Sequence, residues 1–205
     1  MTPTEIETMA RAQYNAIGDT FYKESEILDY IYKAQMDFCR YTNMLRDTFT
    51  TVSVVDRTEY PFPSNTISIK RLEYNGLKVT PISIKENDDI SLSSLDTTSS
   101  SLSNFYWQWG TSFFLSFKPE TAGVEIKCFV YKRPQRVTIT STIEVPDEYH
   151  TDLVDFVNWR MALKDENHPA ARDFRDQWIA AMREARKLER RKLRGDAFAS
   201  VWIEE

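Results

Sequence analysis

Glycine is scarce in this chain, with five residues in 205. Phosphate-cradling loops are built from glycine, because a backbone without Cβ lets several N–H groups close around an anion. Neither G-x-x-x-x-G-K-[ST] nor G-x-G-x-x-G occurs, which removes the commonest nucleotide sites. Histidine is scarcer: His150 and His168 are the only two. They fall on different predicted elements, so a histidine-rich metal site is not expected. Glu86, Asp88 and Asp89 gather carboxylates, but without the spacing and glycine of an EF-hand loop, and are read as a solvated loop. Cys39 and Cys128 lie far apart in apolar surroundings. They are expected to be buried free thiols of a protein assembled in a reducing compartment, not a disulfide framework. No run of about 18 apolar residues is present, so no membrane span is expected. The first residues lack the basic-then-apolar order of a secretory signal. No G-x-S-x-G or Cys–His nucleophile appears. Glu144, Asp147, Glu148, Asp152 and Asp155 cluster near His150. They flank a predicted helix start, where anions complement the dipole, and do not converge on a cleft. The chain is therefore expected to be no enzyme and to hold no cofactor and no metal.

What is present is enough for a packed core: 41% of residues are hydrophobic and 13% aromatic. The net charge is −5, whereas a sequence-specific DNA binder is more often basic. The cations are concentrated near the end of the chain. There a first helix is predicted after Pro146, with the apolar stripe Tyr149, Leu153, Phe156, Val157 and Met161. The three- and four-residue steps build one face for burial. "ENHP" breaks it, with Asn167 or His168 as cap and Pro169 at the first helical position. A second helix continues through Ala170, Phe174, Trp178, Ala181, Met182, Ala185 and Leu188. Its last turns hold Arg183, Arg186, Lys187, Arg190, Arg191, Lys192 and Arg194, cations that suit the negative end of the helix dipole. Gly195 is a natural stop. Beyond it, "DAFASVWIEE" carries Phe198, Val201, Trp202 and Ile203, although chain ends are usually polar. Either this tail folds back onto its own core or it is an arm for another subunit. The second reading is favoured, with Trp202 and Phe198 as anchors and the cations giving steering and register.

At the other end, Thr2-Pro3-Thr4-Glu5 reads as a capping box with proline at the first helical position. That helix is expected to reach about Ile17 and stop at Gly18. A second begins near Lys23 and buries Ile27, Tyr30, Ile31, Ala34, Phe38, Tyr41 and Leu45. Its other face carries Glu24, Glu26, Asp29, Lys33, Asp37 and Arg40. From Thr48 the pattern becomes β-branched and alternating. "EYPFPSN" is read as a turn or irregular crossing, Asn75-Gly76 as a hairpin, and Lys85–Asn104 as a long serine-rich loop. About five strands result. The expected fold class is α+β: terminal helices forming a helical bundle, an inserted antiparallel β-sandwich or barrel module, and an extended C-terminal arm. The expected segments are 1–47, 48–142, 143–194 and 195–205. In the β module, Phe105, Tyr106, Trp107, Trp109, Phe113 and Phe114 read first as core. Trp107 and Trp109 share one side of an alternating strand and form a possible partner edge.

Taken together, the chain resembles the adaptor, or head-to-tail connector, proteins of tailed bacteriophages. The likeness rests on "ESEILDYIYKAQMDFCRYTNML", on the turn, strand and hairpin of "EYPFPSNTISIKRLEYNGLKVTPIS", on "LSFKPETAGVEIKCFVYKRP", and on "VPDEYHTDLVDFVNWRMALKDE". It covers nearly the whole length as a pattern, without an invariant motif. The chain departs from that pattern in the "DISLSSLDTTSSSLSN" insertion and at Lys118-Pro119-Glu120, both predicted loops. The resemblance implies a virion protein of the neck, assembled in the host cytoplasm as a ring of twelve copies under the portal protein. It implies a portal-binding arm at Gly195–Glu205 and a portal-facing basic helix end (Arg186, Lys187, Arg190, Arg191, Arg194). The β module, with Trp107 and Trp109, would face a tail nozzle or tube protein. DNA would pass the channel without specific binding. Two other readings stay open: a nucleic-acid-binding protein using the basic C-terminal helix, and another tail component of terminator or nozzle type.

Overall fold

A computed structural model describes residues 1–86 and 104–194, with side chains through Lys192; the serine-rich loop and the apolar tail lie outside the described residues. The chain divides into two compact units, Met1–Leu45 with Arg133–Glu205, and Arg46–Lys132. The protein is a mixed α+β chain of helices and a curled seven-stranded sheet.

The helical unit starts with α1, Pro3–Gln13. The Thr2 hydroxyl accepts from the Glu5 N–H at 3.2 Å, and the Glu5 carboxylate accepts from the Thr2 N–H at 2.8 Å. This reciprocal cap satisfies two amides that a helix start leaves free. The helix ends four residues before Ile17. Asn15, at φ 55°, takes the left-handed turn expected of Gly18, which an asparagine tolerates. Helix α2 spans Glu24–Thr42 and closes on Asn43 at φ 57°. A single 3-10 turn, Asp147–Tyr149, leads into α3, His150–Lys164. After Glu166 at φ 54°, α4 runs His168–Arg194. Asn167 supplies the cap, accepting from the Ala170 N–H at 3.3 Å.

All four helices contribute to one apolar core, including Ile6, Ile31, Phe38, Leu153, Val157 and Trp178. Trp178 is 2% exposed, with ring centroids 5.4 Å from Phe38 and 5.2 Å from Phe156. Helix α3 is buried on more sides than its stripe predicts. Val154, Asn158 and Ala162 are also enclosed, because α1, α2 and α4 all pack on it. Asn158 donates to Gln13 at 2.7 Å, a buried amide given a partner. On α4 the buried positions are Ala171, Trp178, Ala185 and Glu189. Leu188, expected in the stripe, is exposed, and Glu189, one turn beyond Ala185, takes the buried position.

Among the described residues the β unit has seven strands: β1 Arg46–Val52, β2 Glu59–Pro61, β3 Thr66–Tyr74, β4 Leu77–Pro81, β5 Phe105–Trp109, β6 Ser112–Leu115 and β7 Glu125–Lys132. Their order is β1-β7-β3-β4-β5-β6-β2. Two strands escaped the expected count of five. "EYP" is not a turn but a short edge strand, with Tyr60 opposite Phe113; an edge tolerates the proline's missing donor. "FYWQWGTSFFLSF" folds back at Gly110, φ 58°, into the β5–β6 hairpin. Nor is the sheet wholly antiparallel, since β4 and β5 pair in parallel at Thr80 and Phe105. The Asn75-Gly76 hairpin forms as expected, with φ of 50° and 74° and Tyr74 opposite Leu77. The curl lets Tyr60, Tyr106, Phe113 and Leu115 share a core with Ile69, Leu72, Ile126 and Cys128.

Candidate functional site

Three surfaces carry chemistry beyond packing: a basic face on α4, a carboxylate pair on α3 and an aromatic face on β5–β6. The basic face follows from spacing. Arg183, Arg186, Lys187, Arg190 and Arg191 recur at three and four residues, so they form one stripe on the side away from Ala185. With Tyr41 of α2 they line an open groove of about 360 Å³. The Arg186 guanidinium sits 4.6 Å from the centre of the Tyr41 ring, a cation–π contact that leaves its N–H edges available. Lys187 pairs loosely with Glu184 at 3.7 Å. Lys192 belongs elsewhere: it donates to buried Glu189 at 2.9 Å and meets Glu148 at 3.4 Å. The hydrogen bond with Glu189 raises its pKa.

The carboxylates separate into two kinds. Those of α2 mostly have cations beside them: Glu26 with Lys164 at 2.6 Å and Asp29 with Lys33 at 2.6 Å. The bond from Lys164 holds Glu26 below its usual range. Asp37 is pushed up by burial, against the pull of Arg40 and Arg160. Asp152 and Asp155 of α3 are different. Both are half-buried, one turn apart, with no described cation forming an ion pair with either. Burial raises both pKa values, and the charge of Asp152 adds to the rise in Asp155, which reaches about 6.

On the β unit, Tyr106 points inward while Trp107 and Trp109 point outward. Trp107 stacks on Phe114, 5.6 Å between centroids and 9° from parallel. Trp109 lies opposite Ser112 and is 66% exposed. Cys39 and Cys128 are both buried, and burial pushes the Cys128 thiol up to about 12, far from a thiolate at neutral pH. Among the described residues, no group of three or more potential ligands gathers for a metal, and no helix is long and apolar enough to cross a membrane.

The structure thus brings Arg186, Lys187, Arg190 and Arg191 together. Arg194 ends the helix, with its side chain outside the described residues. Trp107 and Trp109 share a face. Phe198, Val201, Trp202 and Ile203 lie outside the described residues. Sequence reasoning missed Tyr41 as the groove's aromatic wall, having assigned it to the buried stripe of α2, whereas it is exposed. It also missed that Asp152 and Asp155 differ from the other acids near His150. Their spacing gave no signal, since what sets them apart is that no described cation pairs with them.

No curated protein matches the chain. The family model of the SU10 adaptor proteins matches residues 1–201, which takes in both units and every surface described above. A match of that length identifies the chain as a member of the SU10 adaptor protein family, a structural adaptor of bacteriophage.

Proposed function

We propose that this protein forms the adaptor ring joining the portal to the tail of a tailed phage, and lines part of the DNA channel. The observation that carries this reading is the adaptor-family match across residues 1–201. In it the terminal helices act as one bundle and build the ring, with twelve copies around the axis. Gly195–Glu205 is an arm that docks on the portal through Phe198, Val201, Trp202 and Ile203. Arg186, Lys187, Arg190, Arg191 and Arg194 guide it there. Trp107 and Trp109 meet the nozzle or tube protein on the tail side.

Three physical arguments support it. Ring subunits need two different side faces, because their contacts are heterologous, and this chain segregates its charges. A net charge of −5 suits a channel wall that repels phosphates and lets DNA slide. An apolar arm that orders on docking stays soluble until the portal is present. The ring performs no reaction and needs no cofactor.

Deleting Gly195–Glu205 tests the arm. The truncated protein is expected to keep its circular dichroism spectrum and melting temperature, yet fail to co-sediment with portal. Unfolding of the truncated chain would place the tail in the protein's own core and remove the arm from the reading.

A further inference from the structure

The helical unit carries two surfaces of opposite sign, and among the described residues neither the arginines of the one nor the aspartates of the other form an ion pair. Residues 183–194 hold seven cations and two carboxylates, a net +5 in a chain whose total is −5. Among the described residues no carboxylate lies within ion-pair distance of Arg183, Arg186, Arg190 or Arg191. Like charges one turn apart repel one another, so this stripe is strained electrostatically while it stays empty. On α3, Asp152 and Asp155 are the reverse case. They are already partly stripped of water, and no described cation pairs with them. On α2, by contrast, Glu26 and Asp29 are paired with lysines and Asp37 feels Arg40 and Arg160.

We propose that the basic face of α4 in one copy docks on the outer face of α3 in a second copy, head to tail. This rests on the ring reading and specifies the contact that closes it, with Arg183, Arg186 and Arg190 turned to the neighbouring copy in place of the portal and Lys187, Arg191 and Arg194 left to guide the arm. The spacing fits. Both stripes repeat at three or four residues, so their charges rise together by one helical turn, about 5.4 Å. The apolar neighbours fit as well. Half-buried Trp159 and exposed Leu163 continue the α3 face beyond Asp155. Ile179 precedes Arg183 on α4. Antiparallel helices then set carboxylates against guanidiniums and Trp159 and Leu163 against Ile179. Because the two faces differ, each copy offers one and receives the other, which is the heterologous contact a ring requires. Carboxylates desolvated in advance lose little more on docking, and Arg supplies planar, bidentate donors.

Charge exchange tests it. R183E/R186E/R190E presents two acidic faces and D152K/D155K two basic ones. The wild type is expected to self-associate at low salt in sedimentation velocity. Each variant alone should do so at least about tenfold more weakly, and an equimolar mixture of the two should recover the association. D152N/D155N, milder for the fold, should show an intermediate loss while keeping the wild-type circular dichroism spectrum. Variants that associate as the wild type does would overturn the proposal. So would a wild-type chain that stays monomeric at millimolar concentration, or one whose groove takes a DNA duplex in preference to a second copy. If the swapped variants still form rings on portal, the contact is wrong while the adaptor reading stands. If wild type forms no ring on portal at all, the adaptor reading fails with it.

Discussion

The helical unit and the β unit present opposite kinds of surface. Around the four helices, charge is sorted: a cationic stripe on α4, two lysine-paired acids on α2 and, on α3, a carboxylate pair with which no described cation pairs. In the β unit, residues 46–132 hold nine cations and ten anions, mixed along the strands, while the outward face of β5–β6 is aromatic. Sorted charge gives orientation and register at long range, and exposed aromatic surface gives short-range affinity without a preferred direction of approach. An adaptor protein has use for both. The difference also extends inward, since each unit has its own core with no residue in common.

Separate cores are the part of this comparison most easily broken. Trp178→Ala removes the ring that meets both Phe38 and Phe156 and is expected to cost ~3–5 kcal/mol. Denaturant unfolding measures the loss. Hydrogen exchange should localise it: amides of α3 such as Val157 lose protection, while those of β7 such as Cys128 keep theirs. Simultaneous loss in both units would mean that they unfold as one, and the contrast between them would be confined to their surfaces.

Asp155→Asn is expected to have a smaller effect of opposite sign. The carboxyl titrates near 6 in the folded chain and near ~3.9 when unfolded. Between those values the folded state holds more protons, so this group's contribution declines as pH rises through 6. At pH 7 the ionised carboxylate opposes folding, and the neutral amide should stabilise the helical unit by ~1 kcal/mol, allowing for solvent screening. The advantage should vanish below about pH 4, where aspartate is protonated in both states. Thermal melts at the two pH values read this directly. A variant that is no more stable at pH 7 would show that the carboxylate is well solvated and that α3 lacks the desolvated pair.

Some of this was legible in the residues. The capping box at Thr2, the stripes of α2 and α3, the break at "ENHP" and the Asn75-Gly76 hairpin each depend on neighbours within a few positions, and local chemistry decides them. Other features were not legible in that way. The strand at Glu59–Pro61 exists only because β6 lies beside it, and β4 and β5 are parallel neighbours separated by a long connection. Glu189, ion-paired with Lys192, lies on the buried face where Leu188 was expected. The bare pair on α3 is defined by the absence of a partner, a property of the fold and not of the spacing. The cationic stripe of α4 was plain in the sequence; its aromatic wall at Tyr41, more than a hundred residues earlier, was not.

Trp109→Ala should change stability least and bears most directly on the aromatic half of the comparison. The neighbouring Trp107 has a stacked partner in Phe114, an arrangement worth ~0.5–1.5 kcal/mol beyond burial. Trp109 has none of that support: its cross-strand neighbour is Ser112 and two thirds of its surface is open. Removing it should shift the β unit's stability by no more than ~0.5 kcal/mol and leave the Gly110 hairpin formed. Affinity for the tail-side partner should nonetheless fall, because a large exposed indole is the kind of side chain that becomes an anchor once a partner buries it. A loss of stability above ~1 kcal/mol would assign the ring to the sheet's own packing. Unchanged stability with unchanged tail binding would leave the aromatic face without a role in assembly, and the two units would then differ in charge alone.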